Sequence, residues 1–324
     1  MRIATMDLTI IIPLLNEAES LPELHDWILK ALKPKGFSFE VLFIDDGSTD
    51  NSWKIITSLC AQHKTTKGIR FSRNFGKSQA LHAGFAEAKG EVVFTMDADL
   101  QDSPDELPAM YQRLIEEELD ILSGWKKKRY DSILFKNIPS KLFNWAARKS
   151  SGIYLHDFNC GLKAYRKDVI KNIEVYGEMH RYIPVIAAHE GFKAIQEQVV
   201  QHQARKYGET KFGLNRFING FLDLITLSFL HRFRKRPMHF FGLWGTLMFF
   251  IGFVFAGYLG MDKLYFNIDG RLIAERPEFY IALTTMILGS QFFVAGFLGE
   301  ILVGQQKNTH RYTIVEHTEE KHDN

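Results

Sequence analysis

Two apolar segments near the carboxyl end, at about 238–260 and 279–303, constrain this chain more than any other feature. Each is long enough to cross about 30 Å of hydrocarbon. The second contains only Gln291 and Glu300 as strongly polar residues, and Glu300, near its end, is expected to reach the interface or a partner helix. The connecting loop is slightly acidic, with Asp262, Asp269, Glu275 and Glu278, whereas both outer flanks are basic. Arg232, Arg234, Lys235 and Arg236 precede the first segment, and Lys307 and Arg311 follow the second. The positive-inside rule then places everything before and after this hairpin in the cytoplasm. The chain has 27 phenylalanines, many of them in its last third, which fits lipid contact.

A third apolar pattern precedes the hairpin. "FGLNRFINGFLDLITLSFLHRF" puts Leu214, Phe217, Ile218, Phe221, Leu222 and Ile225 on one helical face. Asn215, Arg216, Asn219 and Asp223 occupy the other face. The segment reads as an amphipathic helix lying in the membrane interface, or as a helix closing the soluble core.

Residues 1 to about 205 have a different texture. The β-rich runs "LTIIIP", "FEVLFID", "GIRFS" and "EVVFTMD" alternate with helix-like stretches near 19–32, 51–61 and 78–88. That alternation predicts an α/β domain with a mostly parallel sheet covered by helices. Ligands in such sheets bind beyond the carboxyl ends of the strands. Those ends carry Pro13 to Glu17, Asp45-Asp46-Gly47-Ser48, Ser72-Arg73-Asn74 and Asp97-Ala98-Asp99. The opening "MRIATMDLTIII" lacks the apolar core and cleavage site of a signal peptide and leads straight into a strand. Cys60 and Cys160 give no disulfide framework and fit a reducing compartment. Charge is balanced, 40 Lys+Arg against 38 Asp+Glu, so no nucleic-acid partner is expected. The twelve histidines show no metal-ligand spacing.

The acidic cluster in "FTMDADLQDSP" poses the sharpest chemical question. Asp97, Asp99 and Asp102 crowd the place where a buried strand should end, and like charges so close repel. One reading is a solvated turn with helix-capping carboxylates, because Asp102-Ser103-Pro104 resembles a helix start. The other is a hard divalent cation held by carboxylate oxygens. Neither the dinucleotide glycine fingerprint nor the P-loop pattern occurs in the chain. An ordered set of motifs appears instead: "IIPLLNEAESL", "FIDDGSTDNS", "SRNFGKSQAL", "DADLQDSP", "DFNCGLKAYR" and "ARKYGETKFG".

Taken in order, these motifs resemble the family 2 inverting glycosyltransferases of the GT-A fold. More narrowly they look like the polyprenyl-phosphate glycosyltransferases, the group of the GtrB-type glucosyltransferases and dolichyl-phosphate mannose synthase. The resemblance covers nearly the whole chain. It implies a GT-A catalytic domain at 1–211, a juxtamembrane amphipathic helix at 212–236, a transmembrane hairpin at 237–304 and a cytoplasmic tail at 305–324. It implies a multi-pass protein of the cytoplasmic membrane, with room for self-association through the transmembrane and juxtamembrane helices.

The resemblance also assigns roles. Pro13, Asn16 and Glu17 match the first nucleotide-binding loop. Asp45 and Asp46 match the carboxylates that hold base and ribose, with Arg73 beside them. Asp97, Asp99 and Gln101 match the motif that holds Mg²⁺ or Mn²⁺ on the donor diphosphate, which would make the acidic cluster tolerable. Asp102 then remains as a helix cap. Acceptor-phosphate candidates are Lys126, Arg129, Lys136, Ser140, Arg205 and Lys211. Lys136 and Ser140 sit one helical turn apart, and Lys126 stands where relatives tend to carry arginine, whose bidentate geometry lysine lacks. Asp157 matches the family's third acidic motif, where it orients acceptor or sugar, or serves as base. Asp99, Asp157 and Arg205 form the expected catalytic set. Cys160 reads as a packing residue. His180 and Arg181 either close over the site or begin a surface helix.

The implied reaction moves a hexose from a nucleotide diphosphate sugar to polyprenyl phosphate with inversion, UDP-glucose being the preferred donor. GDP-mannose and UDP-N-acetylhexosamine stay open. A processive polysaccharide synthase would need a Gln-x-x-Arg-Trp motif and more spans. A lipid-sugar transporter or scaffold that retained a nucleotide-binding domain is the non-enzymatic alternative.

Overall fold

The computed structural model describes residues 6–127, 148, 152–175, 177, 179–204, 206–207 and 237–305. The chain divides into two compact units, a sheet domain and a helical hairpin.

Strands β1 (Leu8–Leu14) and β2 (Phe39–Asp45) are buried at every position, as strands covered on both faces must be. Helix α1 (Leu21–Leu32) lies between them in sequence and buries Leu21, Leu24, His25, Ile28, Leu29 and Leu32, one face of a 3.6-residue period. Next come α2 (Ser52–Gln62), β3 (Thr66–Arg70), α3 (Lys77–Glu87) and β4 (Val92–Thr95). After α4 (Leu107–Glu116) the chain forms β5 (Ile121–Trp125), β6 (Lys163–Arg166), the short helices α5 (Lys167–Asn172) and α6 (Ile183–His189), and β7 (Ile195–Val199). The sequence placed the third strand two residues later. It ends at Arg70 because Arg70 pairs with Asp45, the last residue of β2.

The sheet runs β3-β2-β1-β4-β6-β5-β7. Strands β1 to β4 are mutually parallel, so the order reverses between β1 and β4. An open α/β sheet leaves its ligand crevice at that switch point. Strand β6 is antiparallel to both neighbours, with Lys163 opposite Thr95. This reversal brings the segment entering β6, residues 157–162, to the same rim as the carboxyl end of β4.

Pro13 is compatible with a central strand for a register reason. Ile11 O accepts from Met96 N on the β4 side, whereas Leu14 O accepts from Asp46 N on the β2 side. Pro13 shares the parity of Ile11, and β4 pairs with β1 only as far as Ile11, so no ladder bond is lost.

The second unit holds α7 (Pro237–Met261) and α8 (Pro277–Gln305), two helices long and apolar enough to cross a membrane. They pack through small residues. A Cβ on Gly245 would lie 2.6 Å from Gly289 O, and one on Gly252 would lie 2.7 Å from Ala282 O. Seven-residue spacing keeps this seam on one face of each helix. Glu300 Oε2 accepts from Met238 N at 3.3 Å, so the acidic residue of α8 meets the first turn of its partner helix. Leu243, Phe250, Val254 and Tyr258 are exposed on α7. In the connection, Asp262 accepts from Arg276 Nη1 at 2.7 Å and from Asn267 Nδ2 at 2.9 Å.

Candidate active site

The loops after β1 and β2 are laced together. Asn16 adopts φ 57°, a conformation asparagine tolerates better than most residues. Its N–H donates to Ser48 Oγ at 2.9 Å, and its Oδ1 accepts from Thr49 N at 2.8 Å. Glu17 N donates to Ser52 Oγ at 3.0 Å. The two aspartates of the second loop serve the chain itself. Asp45 Oδ1 accepts from Ser48 N at 2.8 Å, with Arg70 Nε 3.6 Å from its other oxygen. Asp46 accepts from Phe75 N at 2.7 Å and Gly76 N at 2.9 Å, fixing the entry to α3. Burial raises the Asp46 pKa, those two N–H groups oppose it, and neighbouring Asp45 adds to the rise. Gly47 takes φ 78° with the Arg73 backbone against it, a Cβ there falling 2.4 Å from Arg73 C. Arg73 itself is exposed and lies over the Phe75 ring at 4.5 Å.

The end of β4 gathers the strongest electrostatics. Asp97 pairs with Lys77 at the start of α3. Burial acts to raise the Asp97 pKa, yet Lys77, Lys126 and His180 hold it well below the ordinary carboxylate range. Gly161 lies against the same carboxylate, where a Cβ would sit 2.5 Å from Asp97 Oδ2. Asp99 is buried and accepts from Gln101 N at 3.2 Å. Between them Leu100 takes φ 62°, an uncommon state for a leucine that marks local strain.

Asp102 is not a helix cap. The next helical turn begins at Pro104 after Ser103, and Asp102 instead pairs with Lys126 at 2.7 Å while its backbone bridges to His202. A capping carboxylate stays near solvent, whereas this one is fully buried and needs a cation. Gln203 N donates to Gln101 O at 3.0 Å, so residues 200–204 run along the acidic loop.

The third acidic motif meets this rim as the topology requires. Asp157 is buried and its Oδ1 accepts from Asn159 N at 3.0 Å. Lys163 reaches back from β6 and donates to Phe158 O at 3.2 Å and to Cys160 O, holding the Asp157 turn closed. Burial lowers the Lys163 pKa. Thr95 Oγ1 adds a bond to Gly161 O at 2.8 Å. Burial pushes the Cys160 thiol up to about 12, with Asp102 adding to it, so the thiol stays protonated and acts as packing. His180 is buried rather than at a surface helix start: its N–H donates to Ser78 Oγ at 3.1 Å. Beside this turn, His156 stacks on Trp125 with centroids 4.2 Å apart and pairs with Glu197.

Asp45, Asp46, Asp97, Asp99, Gln101, Lys126 and Asp157 therefore lie on strand ends or loops of one rim, with Pro13, Asn16, Glu17 and Arg73 around it. Arg129, Lys136, Ser140, Arg205 and Lys211 lie outside the described residues, as does the expected helix at 212–236. Two lysines escaped the sequence reading, Lys77 and Lys163. Each stands inside a quoted motif, and a charge at a helix start or within a buried strand run is the signal that could have found them.

The comparisons with known proteins agree with this architecture. The glycosyl transferase family 2 pattern matches residues 9–174. A dodecaprenyl-phosphate galacturonate synthase of Rhizobium johnstonii is 33% identical over 305 residues, 93% of this chain and 88% of that protein. An undecaprenyl-phosphate 4-deoxy-4-formamido-L-arabinose transferase of Shewanella sediminis is 34% identical over 296 residues, 91% of this chain and 86% of that protein. Among solved structures, glucosyl-3-phosphoglycerate synthase of Mycobacterium tuberculosis, determined with Mn²⁺, uridine-diphosphate-glucose and phosphoglyceric acid, superposes with a TM-score of 0.51. It is 16% identical, with 70% of this chain and 79% of that one covered. Strand order, acidic rim and sequence match converge, and the chain belongs to glycosyl transferase family 2.

Proposed function

We propose that the protein transfers a glycosyl group from a nucleotide diphosphate sugar to a polyprenyl phosphate at a membrane surface, inverting the anomeric centre. The observation that carries this reading is the convergence of Asp97, Asp99 and Asp157 on the rim at the β1/β4 switch point, in a chain that continues into two apolar helices. Relatives covering more than nine-tenths of the chain carry dodecaprenyl or undecaprenyl phosphate in their names, which supports the acceptor class. Flanking charge favours a cytoplasmic sheet domain and cytoplasmic termini.

Among the described residues no three acidic, histidine or cysteine side chains cluster as a closed metal cage. The site nonetheless fits Mg²⁺ or Mn²⁺, because magnesium typically takes one or two carboxylates and completes its shell with substrate phosphates and water. Asp97 and Asp99 are the residues that would hold it. A bound cation there would offset the charge that departs with the nucleoside diphosphate. The chain's own work is positioning. Asp46 and Asn16 hold the nucleotide-side loops in place, and the Lys163-braced turn presents Asp157 toward acceptor or sugar. A phosphate acceptor is already ionised at neutral pH, so Asp157 need only orient it. Arg205 follows residues bonded to the acidic loop and suits the lipid phosphate.

UDP-glucose remains the first donor to test, supported by the UDP-glucose held in a structure of the same fold. The relatives add galacturonate and 4-deoxy-4-formamido-L-arabinose as sugars, and GDP-mannose stays the alternative. The deciding experiment combines purified full-length protein, undecaprenyl phosphate and radiolabelled nucleotide sugars, with and without chelator. Label should enter lipid from one donor, only with divalent metal, and not in Asp99→Asn. Turnover in excess chelator would refute the metal role, and no transfer from any donor would refute the transferase reading.

A further inference from the structure

The Asp97 carboxylate already has a counter-ion of its own. Lys77, the first residue of α3, sets its Nζ on Asp97 Oδ1. Both side chains are partly open, 29% for the lysine and 32% for the aspartate, so the pair is reachable from solvent. Gly161 covers one side of the carboxylate, where a Cβ would stand 2.5 Å from Oδ2 and 2.9 Å from Oδ1. A cation arriving at Oδ1 must take the place of the ammonium. The backbone below Lys77 is pinned, because Asp46 accepts from both Phe75 N and Gly76 N. The tip is not, since lysine carries a point charge on a flexible four-carbon stem.

We propose that Lys77 is an internal cation that neutralises Asp97 while the donor is absent, yields that position to a divalent cation arriving with the donor, and then pairs with the donor diphosphate. The proposal rests on the glycosyl-transfer reading above. Without a counter-ion the acidic rim would repel itself in the empty site. With the ammonium in place, a metal alone meets a carboxylate already satisfied, and it lacks the phosphate oxygens that complete its shell. Metal and nucleotide then each strengthen the other's binding, a reciprocal coupling between two ligands of one site.

The test measures free Mn²⁺ by electron paramagnetic resonance with full-length protein in detergent, alone and with UDP or GDP added in turn. Lys77→Met should bind Mn²⁺ about tenfold or more tightly than wild type without nucleotide, because a unit charge a few ångströms away has been removed. With Mn²⁺ present, the same variant should bind the nucleoside diphosphate several-fold more weakly. Lys77→Arg, which keeps the charge, should stay near wild type in the empty state. A lysine that merely repels the metal would make Lys77→Met tighter in both states, and that result overturns the exchange. Equal Mn²⁺ affinity of wild type and Lys77→Met without nucleotide overturns it too, while leaving the transferase reading intact. No Mn²⁺ binding by any variant, with or without nucleotide, overturns the exchange together with the metal role proposed above, and leaves the transfer reading to the donor screen.

Discussion

Lys126 Nζ lies 2.7 Å from Asp102 Oδ1 in a pair closed to solvent, the lysine 10% exposed and the carboxylate not at all. Asp102 Oδ2 has no hydrogen-bond partner among the described residues, so Lys126 is the charge on which its burial depends. Burial acts to lower the Lys126 pKa, but Asp102, Cys160 and Asp97 raise it far above the usual lysine range. A lysine held in this way cannot swing out to a lipid phosphate without stranding a buried carboxylate. Its charge reaches the site as a fixed field on Asp97 instead.

Asp102→Asn should therefore destabilise the sheet domain by about 3 kcal/mol, the usual size when one partner of a buried pair is removed. The double change Asp102→Leu with Lys126→Met should recover part of that loss, since it leaves neither charge uncompensated. Denaturant titration of the three proteins checks it. A double variant no more stable than Asp102→Asn would show that the pair is not the source of the loss.

Gly161→Ala tests the close approach to Asp97. A Cβ at 2.5 Å from Oδ2 forces a short, backbone-proximal carboxylate to move. The Mn²⁺ concentration needed for half-maximal rate should rise by about tenfold, with only a small drop in melting temperature, because one methyl on a rim residue leaves the core intact. An unchanged metal dependence with a large loss of stability would instead mark Gly161 as a purely structural residue.

Much of this arrangement was legible in the sequence because strand ends announce themselves. The run "FEVLFID" became β2 at Phe39–Asp45, and the expected helix at 78–88 became Lys77–Glu87. The mostly parallel α/β sheet followed from the alternation, and its GT-A character from the family resemblance that the motifs carry. The antiparallel β6 was not legible, since four residues of "KAYR" carry no signal of direction. That strand is what brings Asp157 and Gly161 to Asp97. Partners were equally hidden: Asp102 looks like a cap because its local context is a helix start, and only Lys126, 24 positions later, reveals its role. Local pattern names the carboxylates, and topology alone pairs them.

His25 should give the fold an acid-sensitive component. It is buried on α1, with Nε2 2.8 Å from Thr66 Oγ1. Burial, and then the neighbouring His63 charge, lower its pKa from 6.5 to about 4, with Lys33 acting the same way and Asp26 opposing. Between those values the unfolded chain takes up a proton that the fold refuses, so stability falls as pH drops from about 6.5 to about 4. The loss levels off below, at about 3 kcal/mol in size. Glu40 contributes only at lower pH: burial acts to raise it, but Lys67 and Thr9 hold it below its ordinary value. His25→Gln, which can keep a bond to Thr66, should flatten the melting-temperature difference between pH 7 and pH 5. An unchanged difference would assign the acid sensitivity elsewhere.

Cutting the chain after Arg236 removes α7 and α8 and asks what the hairpin is for. Helices α7 and α8 satisfy each other through the Gly245–Gly289 seam and the bond from Met238 to Glu300. The loops after β1, β2 and β4 are held by bonds within the sheet domain. Donor binding to the truncated protein should therefore persist, measured as nucleoside-diphosphate affinity within a few-fold of full length. Transfer to long-chain polyprenyl phosphate in vesicles should fall sharply, because the acceptor's local concentration depends on tethering at the bilayer. The segment 214–233, whose sequence repeats apolar residues at helical spacing and runs into a basic cluster, should still give weak, salt-sensitive vesicle binding. Transfer to a short, water-soluble prenyl phosphate should survive better than transfer to the natural lipid. Equal loss with both acceptors, despite retained donor binding, would mean that α7 and α8 help build the acceptor site. Loss of donor binding itself would make the hairpin part of the catalytic fold rather than its anchor.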